Sequence, residues 1–486
     1  MTTSTSSTAP VPSPAPPRRS APTRPPRGLR PGVLVAPFMT ALDFFIVNVA
    51  IPSMQLRLGA GPSAVQWIVA GFSLALAAGL ITAGRIGDIA GRRRVFSAGL
   101  TLFTLSSAAC GLAPTTGVLI AARVVQGLSA ALMGPQVLVI LRTSYQGAAQ
   151  AKAFAMYGLT MGVGAVFGQL IGGLLIRADL FGLDWRACFL INLPVGLATL
   201  ALVPRTVPES RAPQRPRLDN TGVVLVSAAL VALVLPLIQG RSQGWPLWTW
   251  LCLGGSAALF AVFGAHQHRL SGRADGSPLV HTGLFRERAF SVGLLTTLTF
   301  WLGQGSFFLV LALYLQQGRG LDALASGVVF VAIGGGYLAT SMTAHLLAAR
   351  MGRQVLSVGA LLMALGLGLL WSAVGSGTGV GWLVPGLLVD GIGMGMVIAP
   401  LTGAVLVRVS PQLVGSASGV LATVQQVGGA LGIALIGIVF YGALGDGVVA
   451  HYPHALRAAL AALLAVELLL AALVQLLPRT TASAAG

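Results

Sequence analysis

Apolar stretches about 17–25 residues long, each enough to cross a bilayer as a helix, recur along the whole chain. We read fourteen: 33–53, 65–83, 95–113, 117–138, 154–176, 188–203, 221–239, 247–265, 290–315, 325–347, 355–373, 381–402, 416–441 and 456–477. The sixth is short, and the fifth and thirteenth are rich in glycine. Inside a bilayer the backbone must satisfy its own hydrogen bonds, so the pattern predicts an all-α integral membrane protein. The segments between the spans are short. The longest internal ones, 204–220 and 266–289, are basic, and no soluble domain is expected.

Composition agrees: 55% of the 486 residues are hydrophobic and only 9% charged, against about 25% charged in soluble domains. The formal charge of +18 raises the possibility of a nucleic-acid partner. Its distribution argues against one. With both termini placed inside, inner segments hold 23 of the 30 Lys and Arg, outer loops hold 5, and Arg123 and Arg457 fall within spans. That asymmetry is the positive-inside rule, which predicts cytoplasmic termini. Trp67, Trp185, Trp245, Trp248, Trp250, Trp371 and Trp382 fall at predicted outer ends, as an interfacial belt requires, and only Trp301 lies in mid-span. Residues 1–32 are rich in Pro, Ser, Thr and Arg, too polar to fold, and read as a disordered basic tail. Cys110, Cys188 and Cys252 give neither a disulfide framework nor metal spacing. No phosphate-cradling Gly-rich loop ending in Lys-Ser/Thr suggests an ATP-driven pump. The buried acids and histidines form no constellation for metal or nucleophilic catalysis, so an enzyme is not expected. Lys152 is the sole lysine, and the abundance of Arg, Ala and Gly resembles a GC-rich bacterial genome, which predicts a bacterial inner (cell) membrane.

Three acids fall near span centres, where an ionisable group costs at least ~2.5–3.5 kcal/mol on insertion scales. They are Asp43 in "LDFFIVNVAIP", Asp390 in "LLVDGIGMGM" and Glu467 in "LAVELLL". Each could serve transport or be a structural carboxyl held by neighbouring helices. Arg123 begins a helical face with Gln126, Gly127, Ala130, Ala131 and Gly134. A buried guanidinium needs a carboxylate or several carbonyls nearby, and either a proton trade with Asp43 or a plain interhelical tie would supply them. Trp301, Gln304 and Phe308 share one face at i, i+3 and i+7. Such an aromatic surface with a polar group suits a bulky amphipathic molecule, a cation if a carboxylate is near, although ordinary packing explains each residue separately. Between spans two and three, "GRIGDIAGRRR" at 84–94 is more patterned than a connection requires.

Here a resemblance enters. Gly84-x-x-x-Asp88-x-x-Gly91-Arg92-Arg93-Arg94 resembles the signature loop of the major facilitator superfamily. Leu42-Asp43-x-x-Ile46-Val47-Asn48-Val49-Ala50-x-Pro52 and Trp185-Arg186-x-x-Phe189-x-x-Asn192-x-Pro194-x-Gly196 resemble its fourteen-helix drug:proton antiporters. Arg123-x-x-Gln126-Gly127 resembles their proton-relay motif, and Gly164, Gly168, Gly172 and Gly173 their antiporter motif. One departure stands out: Gln169 follows Gly168 where the motif has proline. That leaves open the bend a proline adds and, with it, the direction of transport.

The resemblance implies a major-facilitator fold of 14 transmembrane helices: a six-helix bundle at 33–203, cytoplasmic loops with two inserted helices at 204–289, a second bundle at 290–477 and a tail at 478–486. A trace of repeat symmetry survives. "ARMGR" at 349–353 follows the second span of the second half, with Ala349 standing where Asp88 stands. The implied activity is proton-coupled export of lipophilic drugs or antibiotics by alternating access. In that reading Asp43, Arg123 and Asp390 couple protons and Trp301, Gln304 and Phe308 meet substrate. Gly84, Asp88, Gly91 and Arg92 gate the cytoplasmic side, with Asp88 reaching a helix end of the other half near Ser416. Partners would be a small molecule, protons and the bilayer, with the proton gradient in place of any cofactor. The oligomeric state stays open, a monomer being compatible with this reading. Export of a single metabolite, proton-coupled uptake, and a non-transporting sensor of the same fold stay open as other readings.

Overall fold

The computed structural model describes residues 31–478 except 146, 208, 211–217, 274–275, 277, 376–378, 411–412 and 446–447. The basic tail at 1–30 and the last residues, 479–486, lie outside the described residues. The first half comprises α1 (Pro31–Leu58), α2 (Pro62–Ala90), α3 (Arg92–Gly111), α4 (Thr116–Ser144), α5 (Gly147–Ala178), the single turn α6 (Ala187–Leu190) and α7 (Asn192–Thr206). Two further helices follow, α8 (Asn220–Gln239) and α9 (Leu247–Ser271). The second half has α10 (Arg288–Leu313), α11 (Ala323–Ser341), α12 (Ala344–Met351), α13 (Gln354–Gly375), α14 (Val384–Leu406), α15 (Val414–Leu444) and α16 (Tyr452–Leu476).

These helices cover all fourteen sequence-predicted spans. Among the described residues, thirteen candidate spans are long and apolar enough to cross a membrane, and α3 is the one predicted span that falls short. Its hydropathy is lowered by Arg92, Arg93 and Arg94 in its first turn, while its hydroxyls satisfy themselves locally. Thr101, Thr104 and Ser106 donate to the carbonyls of Ser97, Leu100 and Phe103 at 2.9, 2.8 and 3.0 Å, so each costs the bilayer little. The sixth span is α6 and α7 in series.

Within the first half α4 packs between α2 and α3, and α1 lies along α5 and touches α7. The second half repeats the plan: α14 packs between α11 and α13, α10 lies along α15, and α16 fits against α13, α10 and α15. The halves meet along two pairs, α5 with α11 and α2 with α15, while α4 and α14 make no extensive contact. α8 rests on α9 and lies across both α2 and α15, so the inserted pair bridges the halves. Arg241, just beyond α8, donates to the Tyr441 carbonyl of α15 at 2.7 Å.

One end of the molecule carries the α2–α3 connection and is called here the basic-loop end. Its turn depends on Gly91, whose φ of +108° strains any L residue and whose Cβ would stand 2.7 Å from Glu209 Oε1. Gly84, by contrast, lies inside α2. Glu209 also accepts from the Arg93 amide at the start of α3, at 3.2 Å. Asp88, expected at a helix N-terminus of the other half, instead accepts from Arg92 Nη2 at 2.8 Å. Ser416 of α15 donates to the Leu279 carbonyl at 3.2 Å, and Arg85 of α2 donates to the neighbouring Pro278 carbonyl. The segment following α9 therefore spans both halves at this end. It is anchored by Gln267, which accepts from the Val280 amide at 3.1 Å and donates to Asp219 at 2.7 Å. Burial alone would raise the Asp219 carboxyl, but bonds from His266, Gln267 and the Gly222 amide hold it below the usual range.

At the far end the halves are sewn together directly. α10 runs on into a π-helical turn, Tyr314–Gly318, of the kind often found at functional positions. This turn carries Gln316 to the Val49 carbonyl at 3.0 Å and Gln317 to Gln55 at 2.7 Å, both on α1. Trp185, expected in an interfacial belt, is buried there. It packs on Phe189 and lies beneath Arg186, which donates to the Gly111 and Ala113 carbonyls at 3.0 and 2.8 Å. The Trp-Arg pair thus plugs the end of α3 into the bundle, which is why this tryptophan leaves the lipid boundary.

Candidate functional site

Asp43 sits in the middle stretch of α1 and Arg123 in the first half of α4, and both have 0% exposure. They form an ion pair through Arg123 Nη1 and Asp43 Oδ2. Asp43 Oδ1 accepts from Gln126 Nε2 at 2.8 Å and from Asn192 Nδ2 at 3.2 Å. Ser107 of α3 accepts from the same two amides at 2.8 and 3.3 Å. Arg123 Nε donates to the Ile68 carbonyl of α2 at 3.0 Å, its Nη1 to Gln126 Oε1 at 2.7 Å, and its plane covers the Phe72 ring at 4.3 Å. Five helices therefore converge on one carboxylate.

The spacing explains the geometry. Arg123 and Gln126, three apart, share a face of α4, and that face meets α2 because Gly127 leaves no room for a Cβ, which would lie 2.3 Å from the Phe72 carbonyl. A buried ion pair is a poor stability device, since desolvation offsets much of its attraction. Its presence at membrane depth makes it the candidate site. The network is also incompletely satisfied: Arg123 Nη2 and Asn192 Oδ1 have no hydrogen-bond partner among the described residues. Ser107 was not legible as a member of the site. Its only sequence signal is a serine pair facing α4 and α7 from a span already rich in hydroxyls.

The glycines of α5 form a smooth face for α1. A Cβ added at Gly164, Gly168 or Gly172 would lie 3.0 Å from Ala41 Cβ, 3.1 Å from Phe45 Cβ or 2.7 Å from Ile46 Cγ1, respectively. Gly173 turns to the other half, where its Cβ would lie 2.4 Å from the Ala323 carbonyl of α11. Gly327 of α11 answers it, its Cβ position standing 2.7 Å from the Gln169 carbonyl. The antiporter-motif helix is thus the bearing between the Asp43 helix and the second half. Gln169 itself is fully buried with neither Nε2 nor Oε1 hydrogen-bonded among the described residues. Such a group carries a desolvation penalty of about 1–3 kcal/mol. Gln169→Leu is therefore expected to raise the thermal midpoint of the purified protein by several degrees, and an unchanged or lower midpoint would show that the amide is satisfied in the membrane.

The structure places the remaining candidates on different surfaces. Phe308 meets Phe45 of α1 at 4.9 Å and stacks on Phe330 of α11 at 5.7 Å, directly between the halves. Trp301 backs onto α15, where the Gly428 Cβ position lies 3.0 Å from Trp301 Cβ. Gln304 points into the second half and donates to Met363 Sδ of α13 at 3.5 Å. Asp390 is buried inside the second half, with its Cβ against Gly366 of α13, and does not join Asp43. Trp301, Gln304 and Phe308 follow one another at helical spacing, but four different helices, α15, α13, α1 and α11, meet them along the length of α10.

Two pseudo-equivalent six-span halves, each built round a closely packed core and meeting along two helix pairs, define a membrane transporter that works by moving one half against the other. The chain belongs to the Major Facilitator Superfamily, whose family model matches residues 33–433. It is similar to the probable actinorhodin transporter of Streptomyces coelicolor, 39% identical over 85% of this chain and 72% of that one. It is also similar to the puromycin resistance protein of Streptomyces alboniger, 36% identical over 85% of this chain and 81% of that one. Among solved structures, the D-xylose–proton symporter superposes with a TM-score of 0.66 over 93% of this chain and 98% of its own, at 15% identity, which shows the shared fold. The protein is a transporter and not an enzyme.

Proposed function

We propose that the chain exports lipophilic antibiotic-like compounds from a bacterial cell in exchange for protons. The observation that carries this is the buried Asp43–Arg123 pair with its amide cradle, in a chain whose curated relatives include a named antibiotic transporter and a resistance protein. In this reading the basic-loop end, both termini and the inner segments face the cytoplasm, as the charge asymmetry requires. The bodies that rock are 33–203 and 290–477, with α8 and α9 between them.

The cycle follows from the contacts. With Asp43 ionised, Arg123 holds α1 against α4, and the far end is closed by Gln316, Gln317 and the Gly173–Ala323 approach. When the far end opens, a proton arriving from outside bonds to Asp43 and cancels the attraction that binds Arg123. α1 is then free to shift along the glycine face of α5, and α5 passes the shift to α11. Loss of the proton to the cytoplasm restores the pair. Phe45, Phe308 and Phe330 supply an apolar aromatic surface between the halves for a bulky ligand, and we assign substrate contact to Phe308, with Trp301 and Gln304 on the same helix shaping that wall. Gly84, Asp88, Gly91 and Arg92 fix the cytoplasmic connection.

The test is flux in proteoliposomes with an imposed pH gradient, using puromycin and ethidium as probes. Movement of either probe opposite to the protons supports the reading. Movement in the same direction as the protons would make the chain an uptake carrier, and no gradient-dependent movement of either would overturn antiport of this ligand class.

A further inference from the structure

The second half has a polar core of its own. Gln304 stands as many residues before Ala349 as Asp43 stands before Asp88, so the repeat puts an amide where the first half has its carboxylate. The acids come instead from the two counterpart helices. α14, equivalent to the helix of Arg123, brings Asp390, and α16, equivalent to the helix of Asn192, brings Glu467; each is 1% exposed. Glu467 faces α10, where the Cβ position of Gly303 lies 2.9 Å from its Oε1. Gln304 is the next residue on α10 and reaches Met363 of α13, the helix that backs Asp390. Met363 also lies 2.6 Å, through its Cγ, from the Cβ position of Gly393, three residues past Asp390 on α14, so Gln304 links the helices of the two acids. Asp390 Oδ2, Glu467 Oε2 and Gln304 Oε1 all lack a hydrogen-bond partner among the described residues.

Among the described residues no cation stands beside them. α11, α13 and α15 carry no acidic or basic residue, Tyr337 and Tyr441 being their titratable groups in α11 and α15. α10 has only Arg288, at its first position, and α16 has only His454 and Arg457 besides Glu467. Arg457 is ~15 Å from Glu467 along the helix and is stacked over Trp371 of α13 at 3.9 Å. A buried carboxylate with no partner is costly unless something neutralises it. In the first half a guanidinium does so.

We propose that Asp390 and Glu467, with Gln304 beside them, form a second proton-binding site, so that each cycle moves more than one proton. When the half opens to water, a proton passes from a carboxyl oxygen to water, and on re-closure one passes back; no other reactant is needed. The site belongs to the antiport reading given above but is tested separately from it.

The experiment is infrared spectroscopy of the purified full-length chain in liposomes, with pH stepped in light and heavy water, for wild type, Asp390→Asn, Glu467→Gln and the double variant. The expected result is a protonated-carboxyl band at neutral pH that weakens in each single variant and disappears in the double one. A wild-type spectrum in the double variant overturns the proposal. So does a band that collapses on adding sodium at fixed pH, which would make this a metal-cation site. If Asp390→Asn fails to fold, Glu467→Gln alone decides by the same band. The transport arm uses puromycin at a one-unit pH gradient, where each proton lost from the stoichiometry lowers the steady-state accumulation ratio about tenfold. A double variant that reaches the wild-type ratio overturns the stoichiometric claim. A wild type that moves no puromycin against protons sinks the antiport reading and leaves the infrared result to judge the site.

Discussion

Asp43→Asn is expected to abolish gradient-driven efflux, by at least a hundredfold in proteoliposomes, while the protein still folds and still binds drug. Folding should survive because the amide can be accommodated. Its oxygen can face Arg123 and its nitrogen the Asn192 Oδ1, which has no partner among the described residues, once Asn192 turns over its own amide; Gln126 Nε2, which loses its acceptor on residue 43, keeps Ser107 Oγ. What the substitution removes is the only group at this site that exchanges a proton. Arg123→Ala is the contrasting case. It leaves a carboxylate in a dry core, and breaking a buried pair from one side costs about 3–5 kcal/mol, so this variant should express poorly and melt early. Gradient-driven efflux by Asp43→Asn at the wild-type rate would remove this residue from coupling. A well-folded Arg123→Ala would mean that Asp43 is already neutral in the resting protein.

Gly173→Val is expected to stop transport by a different route. A Cβ at this position would stand 2.4 Å from a main-chain carbonyl of α11, and neither backbone can yield without moving its helix. The far end could then no longer close, and the protein should be held open there. The measurement is the reactivity of a cysteine introduced at Gln55, which in this structure is tied to Gln317 across the halves. Its modification by a membrane-impermeant thiol reagent should rise at least tenfold in the Gly173→Val background while efflux falls to the level of empty liposomes. Equal reactivity in the two backgrounds would show that α5 and α11 separate without regard to this contact. Gly164→Ala would instead press α5 on α1 within one half, so it should slow transport without exposing position 55.

Most of the fold was legible because hydropathy acts on each span independently. The span that fell short on composition, α3, was still found because its hydroxyls sit among Leu, Phe and Val. The Asp43–Arg123 partnership was legible too, since in the first half Asp43 is the one acid near a span centre and Arg123 the one base within a span. Its amide cradle was not: Asn192 meets Asp43, and Ser107 meets the Gln126 and Asn192 amides, only after the helices pack. The resemblance gives a role to Asp43 and Asp390 but none to Glu467. Its own spacing argued otherwise, because Leu456, Leu460, Leu463, Leu470 and Val474 run down the same buried stripe of α16 at helical steps of three, four and seven. Asp88 shows the opposite failing. A helix-end partner in the other half was expected from the resemblance, whereas an arginine one turn away satisfies it first.

The tie at the basic-loop end is made of carbonyl oxygens. Arg85 and Ser416 grasp the main chain of Pro278 and Leu279, not their side chains. Almost any residue can present a carbonyl there, so drift in the side chains of this stretch would leave the grip intact, and a comparison of related sequences would show a stretch that looks unconstrained. What selection can act on is length and path. A one-residue deletion would shift both oxygens out of reach together, which makes this the place where a small change in spacing, invisible to any count of identities, would retune how readily the two halves part.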